Sequence, residues 1–489
     1  MRHGLTFVSI IYEATRPVDR STAGRYHSAM FSSSTYQERR AALLRGLAAR
    51  GIEDGLVVVL GSRESPINYA DNCYPFRQDS SFLYFVGPRK PGLAASIDIA
   101  SGKATLYGDD ATMDDLVWTG PQQSVSELAA LAGISASRPR RELAADAAGR
   151  RLLYFPPYRE DARAELAELA ARPAAAIAAG ASRELVEAAI ELREVKSAEE
   201  AAELDEAVGA SVRMHRAALV SARPGMTERE VMAIAEHAAI AESTGTSFPI
   251  IATTRASVLH NHSYGRRLEE GDLFLLDAGA ETAKGYAGDL TTTFPASRRF
   301  DSRQRELYDI VLRMGAAARE MLAPVRSFRD VHFAAARELA VSLVELGLLR
   351  GDPDEAVASG AYALFFPHGL GHMIGLDVHD MESYGEDLVG YAGTRRSPLF
   401  GLKSLRLAKP LKAGMAFTVE PGIYFIPELH AAWRAEGRFS GLVDYEASRR
   451  WLGAGGVRNE EDWIATEDGA RRLGPEFDKS SAAIEEARR

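Results

Sequence analysis

Over the first 180 residues, short apolar runs alternate with segments that carry apolar residues at helical spacing. The segment YQERRAALLRGLAAR (36–50) has this helical periodicity and stops at Gly51, which predicts a helix. Bounded runs of Val, Ile, Leu and aromatic residues are typical of strands. Five runs predict strands: GLVVVLGS (55–62), FLYFVG (82–87), AASIDIA (94–100), KATLYG (103–108) and LLYFP (152–156). With helical patches between 125 and 182, the pattern predicts a mixed α/β domain.

The pattern changes near residue 195, where longer helical segments begin. A Ser or Thr three positions before a Glu forms a capping box and predicts a helix start, as in Ser197 with Glu200 and Thr227 with Glu230. From residue 247, the apolar runs FPIIAT, LFLLDAG and TTTFPA precede helical segments near 302–320 and 328–347. We therefore predict an α/β domain over 31–185 and a second, α+β domain over 186–489. The Ser- and Arg-rich residues 1–30 predict a disordered extension rather than a targeting peptide.

Composition narrows the class of protein. A chain of 489 residues is too long for one ordinary core, and 46% hydrophobic with 26% charged residues is typical of a soluble globular protein. The net charge of −10 disfavours a nucleic-acid partner or a membrane surface, and no run approaches the ~20 apolar residues of a membrane span. The single cysteine, Cys73, cannot form an internal disulfide, so we predict a cytoplasmic location.

The candidate functional residues lie in the C-terminal part of the chain, where charged residues interrupt apolar segments that contain glycine. An ionised carboxylate at the end of a buried strand is unfavourable unless a cation or hydrogen-bond donors compensate it. One such residue would be an ordinary turn cap, but five need a common cause, and a dinuclear metal centre supplies it. The five residues are Asp277, Asp289, His372, Glu420 and Glu460.

The first two candidates, Asp277 and Asp289, are twelve positions apart. That spacing fits two neighbouring antiparallel strands joined by a short turn, which would bring both carboxylates to one end of a sheet. Glu420 interrupts an apolar strand that Pro-Gly then breaks. Arg458 lies two residues before Glu460 and so on the same strand face, where it could hold a carboxylate ligand in place.

The segment HGLGHMIGLDVHD contains His368, His372 and His379. Gly369 and Gly371 argue against a helical zinc motif, and we expect these glycines to let the backbone pack closely against the site. One histidine can bind a metal while the others serve in proton transfer or stabilise an oxyanion. Each of them, taken singly, could also be an ordinary core histidine.

A carboxylate-rich ligand set favours Mn, Co or Mg over a zinc site built from Cys and His. Two such ions can share a hydroxide and stabilise the oxygens of a hydrolytic transition state. The ligands by themselves therefore predict hydrolysis of a carbonyl or phosphoryl bond and leave the choice between the two open.

These segments, in this order, resemble the pita-bread metallopeptidases, in particular the Xaa-Pro branch that contains aminopeptidase P and prolidase. The resemblance runs from about Tyr36 to about Gly474. It is carried by RQDSSFLYFVG (77–87), HGLGHMIGLDVHD, TVEPGIY and GVRNEED. It implies a C-terminal pita-bread catalytic domain, of the creatinase and methionine aminopeptidase type, behind a smaller α/β domain.

The resemblance also implies residue roles. Asp277 would bind one metal, Asp289 and Glu460 would bridge both, and His372 and Glu420 would complete the other site. His260, in VLHNHSYG, matches the family histidine near the scissile bond, His379 the one that hydrogen-bonds the carbonyl oxygen, and His368 a wall of the proline pocket. A metal-bridging hydroxide would attack the amide carbon while Glu420 relays a proton, and Arg458 would support the site. The implied ion is Mn²⁺, with Co²⁺ or Zn²⁺ as alternatives.

Three features depart from the family pattern. The turn between Asp277 and Asp289 is one residue longer than expected, Thr292 replaces an Arg, and Asn459 replaces an aliphatic residue beside Glu460. None of these changes removes a metal ligand. The alternatives of a metal-free binding protein and of a creatinase-like hydrolase therefore rank far behind a peptidase.

Substrate class is the finer question. Arg406, in GLKSLRLAKPLKAGM, matches the prolidase arginine that binds the dipeptide carboxylate, and LDVHD and IYFIP are also similar to prolidases. The seventeen residues from His260 to Asp277 are more similar to bacterial aminopeptidase P. We predict removal of the N-terminal residue from Xaa-Pro peptides, with Xaa-Pro dipeptidase as the alternative. The family implies a homodimer or homotetramer, and Trp118 is expected either at a subunit contact or in the core.

Overall fold

The computed structural model describes residues 30–489. The predicted disordered extension therefore lies outside the described residues, apart from Met30. Within 30–489, no helix is both long and apolar enough to cross a membrane.

The N-terminal part of the fold is built on a five-stranded sheet. Its strands are β1 (Leu56–Leu60), β4 (Ala94–Asp98), β5 (Ala104–Gly108), β6 (Ala136–Pro139) and β7 (Leu152–Tyr154); β2 (Pro66–Tyr69) and β3 (Asn72–Cys73) form a separate hairpin. The sheet order is β6-β5-β4-β1-β7, with β1 antiparallel to β4 and parallel to β7. Four of the five predicted strands are thus confirmed within one or two residues.

Helices of this part pack on both faces of the sheet. They are Ser33–Ala48, Ser80–Phe85, Met113–Thr119, Val125–Leu131, Leu143–Ala147, Glu160–Leu169 and Arg183–Glu194. The helix Arg183–Glu194 packs against Ser33–Ala48, where a Cβ on Gly46 would lie 3.0 Å from the Ala188 Cβ. The predicted division at 185/186 stays a prediction.

The strand predicted at 82–87 is wrong: residues 82–85 belong to the helix Ser80–Phe85, and Val86 is its C-cap. Asp79 begins this helix by accepting a hydrogen bond from the Phe82 N–H at 2.9 Å. All six helical residues are buried, and a short continuous apolar run does not distinguish a buried helix from a buried strand. The core alternative for Trp118 is also wrong, because 85% of this residue is exposed.

The C-terminal part contains small sheets that meet around one cleft. The strands are β8 (Ile251–Thr253), β9 (Leu273–Ala278), β10 (Leu290–Pro295), β11 (Ala416–Val419), β12 (Gly422–Tyr424), β13 (Gly456–Arg458), β14 (Glu461–Ala465) and β15 (Ala470–Arg472). They form the sheets β10-β9-β8, β11-β14-β15 and β12-β13.

Helices pack against these sheets. They are Ala198–Ser221, Glu228–Glu242, Ser302–Glu320, Phe328–Glu345, Pro353–Ser359, Glu386–Tyr391, Pro427–Ala435, Tyr445–Arg449 and Ser481–Ala487. Both predicted capping boxes are present, with Ser197 and Thr227 as the N-cap residues. The helices predicted near 302–320 and 328–347 are confirmed.

Candidate metal centre and active-site cleft

Asp277 and Asp289 meet at one end of the β9–β10 pair. The two strands are antiparallel, Thr291 faces Asp277, and Asp289 directly precedes β10. The interpretation of their twelve-residue spacing is therefore confirmed, because the connecting turn returns the chain to the end of the strand that it left.

Glu420 and Glu460 reach the same place from two other strands. Glu420 lies in the break between β11 and β12, and Glu460 lies between β13 and β14. The Glu460 N–H donates to the Thr291 carbonyl at 3.0 Å, and the Thr291 hydroxyl donates to Glu460 Oε2 at 2.7 Å. β10 thus fixes both the backbone and the side chain of Glu460.

His372 enters from the glycine-rich segment, which is not helical. Gly371 lies directly against the Thr418 carbonyl of β11, where a Cβ would collide with it. The His372 Nδ1 lies 3.0 Å from the Met373 carbonyl, which leaves Nε2 facing the carboxylates. A backbone carbonyl at one ring nitrogen is the usual partner of a histidine that binds metal through the other.

The five residues converge on one cleft of about 850 Å³. Single ligand atoms of Asp289, His372 and Glu460 all lie within 4.8 Å of one another. The His372 Nε2 is 3.4 Å from Asp289 Oδ2 and 3.8 Å from Glu420 Oε1. Asp277 lines the same cleft.

The electrostatics of this cluster favour cations. Burial raises the pKa of Asp289 well above its ordinary value, and the charges of Asp277, Asp462 and Glu420 raise it further. Burial and the charge of Asp289 do the same to the pKa of Glu460. The buried Asp289 Oδ1 has no hydrogen-bond partner among residues 30–489. Crowded carboxylates with an unpaired oxygen fit divalent ions, which would relieve the repulsion and use the free oxygen.

Arg458 lines the cleft, and its side chain is almost completely buried. Its Nη2 contacts Asp277, its Nε donates to the Thr291 hydroxyl at 3.1 Å, and its Nη1 donates to the Tyr424 hydroxyl at 2.9 Å. Arg458 thus contacts a carboxylate of the predicted ligand set, that of Asp277.

His368 is held on both sides of its ring. The Nδ1 lies 2.8 Å from the Gly369 carbonyl and the Nε2 lies 2.9 Å from the Tyr424 hydroxyl. Burial lowers the pKa of His368 to about 3, so its ring is neutral at neutral pH. Both nitrogens thus have partners in the protein, and His368 lines the cleft.

The other predicted substrate-binding residues, His379, His260 and Arg406, line the same cleft. The His379 ring lies 4.0 Å from the His372 ring, and its Nδ1 is 3.1 Å from Glu382 Oε2. Burial lowers the pKa of His379 to about 4. His260 lies on the more exposed wall, and burial lowers its pKa too. Arg406 contacts Glu382 at 2.5 Å.

Comparison with known proteins identifies the family. The model of metallopeptidase family M24 matches residues 202–467, more than half of the chain, and that of the aminopeptidase P N-terminal domain matches residues 36–150. The chain belongs to metallopeptidase family M24. The family resemblance read from the sequence is thus confirmed.

Relatives of this M24 metallopeptidase include both Xaa-Pro branches. It is 30% identical to the Xaa-Pro dipeptidase of Homo sapiens, over 86% of each chain, and 29% identical to the Xaa-Pro aminopeptidase of Escherichia coli, over 93% of this chain and 97% of the relative. A solved structure of Pseudomonas aeruginosa aminopeptidase PepP matches with a TM-score of 0.78 at 27% identity, covering 94% of this chain and 98% of that one. The predicted fold class is confirmed, and the protein is a hydrolase.

Two residues beside the M24 ligand set escaped the sequence interpretation. Asp462, which the sequence analysis does not single out, is fully buried and accepts a hydrogen bond from the Asp289 N–H at 2.8 Å. Burial raises its pKa to about 8. Its position two residues after Glu460 was the available signal. Lys479, whose Nζ contacts the Glu460 carbonyl, has no comparable signal in the sequence.

Both substitutions relative to the family pattern point away from the metallopeptidase cleft. The Thr292 hydroxyl lies 3.0 Å from His215 Nδ1 on the helix Ala198–Ser221. The Asn459 side chain accepts a hydrogen bond from the Thr293 N–H at 3.3 Å. Along β10 the Thr292 side chain points away from that of Thr291, and neither Thr292 nor Asn459 lines the cleft.

Proposed function

We propose that this enzyme is a dinuclear-metal exopeptidase that removes the N-terminal residue from peptides with proline in second position. One observation carries the proposal: Asp277, Asp289, His372, Glu420 and Glu460, from separate parts of the chain, line one cleft together with His260, His368 and His379. The Xaa-Pro relatives support the substrate class.

The five ligand residues would hold two divalent ions, with Asp289 and Glu460 between them. When bound, the ions supply an activated water nucleophile and polarise the scissile carbonyl. The oxygen-rich donor set favours Mn²⁺, with Co²⁺ or Zn²⁺ as alternatives. The cytoplasmic location and the homodimeric or homotetrameric assembly stay predictions.

Glu420 is the proposed proton carrier. Burial raises the pKa of its carboxyl group, so that it can take a proton from the nucleophile and later release it to the leaving nitrogen. Its Oε2 lies 3.7 Å from His368 Nδ1 and its Oε1 lies 3.8 Å from His372 Nε2, which keeps the carboxylate at the centre of the cleft.

His379 is the proposed partner of the carbonyl oxygen. Because Glu382 faces Nδ1, the other ring nitrogen, Nε2, is the one available to the substrate. Negative charge that develops on the carbonyl oxygen favours a proton on Nε2, and the Glu382 carboxylate stabilises the ring that carries it. His260 and the face of His368 would contact the residues on either side of the scissile bond.

A second candidate, Xaa-Pro dipeptidase, is favoured by Arg406. A fixed guanidinium in the cleft can bind the free carboxylate of a dipeptide and so favour short substrates. The carboxylates of Glu382 and Glu386, which contact this arginine, favour the aminopeptidase instead.

The proposal is tested with purified protein, a Gly-Pro-Yaa tripeptide and chromatography of the products. We expect chelator-sensitive release of glycine, with activity restored by Mn²⁺, because the carboxylate cluster needs cations to bind substrate and nucleophile. Asp289→Asn should lose at least about 100-fold in kcat, and the thermal unfolding midpoint shows whether it is folded. Full activity after exhaustive chelation would overturn the proposal.

A further inference from the structure

The Arg406 guanidinium in the substrate cleft is already paired with carboxylates of the same chain. Arg406 Nη1 contacts Glu382 Oε2 at 2.5 Å and Glu386 Oε1 at 3.2 Å. The Arg406 side chain is 38% exposed, and the residue lines the cleft together with the metal-binding candidates. The guanidinium is therefore accessible to substrate but not free.

The charges around Arg406 do not favour binding of a substrate carboxylate. Arg396 contacts Glu386 Oε2 at 2.9 Å and Asp387 Oδ1 at 2.9 Å. Arg396 is therefore itself paired, and the two carboxylates on Arg406, those of Glu382 and Glu386, exceed its single positive charge. An incoming substrate carboxylate would meet a neutralised cation and the repulsion of its neighbours.

The negative charge of the Glu382 carboxylate is compensated by Arg406. Its Oε2 contacts His379 as well as Arg406, while its buried Oε1 has no hydrogen-bond partner in the part of the chain that the structure describes. Burial raises the pKa of Glu382, but the hydrogen bond with His379 and the charges of His379 and Arg406 outweigh this and lower it overall. A substrate that withdrew Arg406 would leave a buried anion poorly compensated.

We propose that Glu382 and Glu386 are specificity-determining residues that occupy Arg406 and thereby select against dipeptides. This inference rests on the proposed function. In an Xaa-Pro dipeptide the proline carries a free carboxylate, which needs a cation. In a longer peptide the same position is a neutral amide, which does not compete with Glu382 or Glu386.

The test compares kcat/KM for Gly-Pro with kcat/KM for a Gly-Pro-Yaa tripeptide. We expect Glu386→Gln and Glu382→Gln each to raise the dipeptide-to-tripeptide ratio by about tenfold, because each removes a negative charge beside Arg406. The ratio is the correct readout because Glu382 also contacts His379, and a change in the chemical step affects both substrates alike. Glu386→Gln leaves His379 untouched and so tests the proposal if Glu382→Gln is poorly folded.

Asp387→Asn is the matched control. Asp387 contacts Arg396 but not Arg406, and 74% of its side chain is exposed, so its ratio should stay within twofold of the wild type. Adding Arg406→Gln to Glu386→Gln should abolish the gain.

Three results would overturn the proposal: unchanged ratios in both Gln variants, a wild type that already prefers Gly-Pro, or a gain that survives Arg406→Gln. A wild type that cleaves neither peptide would overturn the proposed function, and this inference with it. The two failures are therefore distinguishable.

Discussion

At the scale of single residues, the acidic cluster of the candidate metal centre contains carboxyl groups that are buried without full hydrogen bonding. Asp462 has no exposed surface, its Oδ2 accepts one backbone hydrogen bond, and its Oδ1 has no partner among residues 30–489. Such a carboxyl group is protonated in the folded, metal-free protein up to a pH of about 8. Binding of cations would therefore be accompanied by release of protons.

This protonation predicts a pH dependence of stability. Because the pKa of Asp462 rises from 3.8 to about 8 on folding, the folded state holds a proton that the unfolded state has lost, and stability falls as the pH rises towards 8. For the chelated protein we expect the free energy of unfolding to drop between pH 7 and 8, and Lys479, whose pKa burial lowers to about 8, to offset part of this drop. The buried histidines add little there, because unfolded histidines are already mostly neutral.

Asp462→Asn resembles the protonated form and should make this drop smaller. Urea unfolding of the chelated wild type and variant at both pH values measures the difference. An identical drop in the two proteins would contradict the role assigned to Asp462.

At the scale of elements, the glycine-rich segment is positioned by its contact with β11. The Thr418 N–H donates to the His372 carbonyl at 2.9 Å, and the His372 N–H donates to the Thr418 hydroxyl at 3.2 Å. Two backbones can approach this closely only because Gly371 has no Cβ. The same contact orients His372 towards Asp289.

We predict that Gly371→Ala destabilises the protein by about 1–3 kcal/mol, because the added methyl group must displace the Thr418 carbonyl. Bound metal per chain, measured by elemental analysis, should also fall as His372 moves. Gly441→Ala is the control, since a Cβ there meets no atom within 4 Å. Equal stability of the two variants in chemical denaturation would refute the prediction.

At the scale of the whole molecule, the N-terminal region holds the loop that carries His379. Arg77 contacts the Leu376 carbonyl, and Ser80 donates to Asp377 Oδ1 at 2.5 Å. Behind the loop, Asp380 contacts Arg193 at 2.6 Å and Lys196 at 2.9 Å, and 1% of the Asp380 side chain is exposed.

We predict that Asp380→Asn lowers kcat by about tenfold or more, because small displacements of a catalytic group reduce turnover strongly. It should also lower the thermal unfolding midpoint, since Arg193 and Lys196 would stay buried with less compensation. If Asp380 acts through His379, the same change in a His379→Ala background should reduce kcat by less than about threefold.

Glu200→Gln is the control for this prediction. Glu200 is also a buried carboxylate beside an arginine, 3.5 Å from Arg39, but it does not contact the loop that carries His379. Equal losses of kcat in the two backgrounds of Asp380→Asn would show a general structural effect and contradict positioning of His379.

The sequence determined the elements whose signals are local. Capping boxes fixed two helix starts, apolar runs between turn residues fixed most strands, and the spacing of Asp277 and Asp289 fixed an antiparallel pair. The ligand candidates could be named because carboxylates are rare inside apolar strands. The run at 82–87 was misread because a short apolar stretch has no period that separates helix from strand.

Only the tertiary structure decided which side chains share an environment. Four features of the cleft and its surroundings involve residues from different elements. They are the burial of Asp462, the contact of Arg458 with Asp277, the neutralisation of Arg406 by Glu382 and Glu386, and the attachment of the His379 loop to Arg193. Contacts between distant segments depend on how the sheets pack together, and neither the composition nor the periodicity of a segment records its neighbours. The candidate ligands could therefore be named from the chain alone, whereas the contacts of Arg406, from which the selectivity of the cleft is proposed, could not.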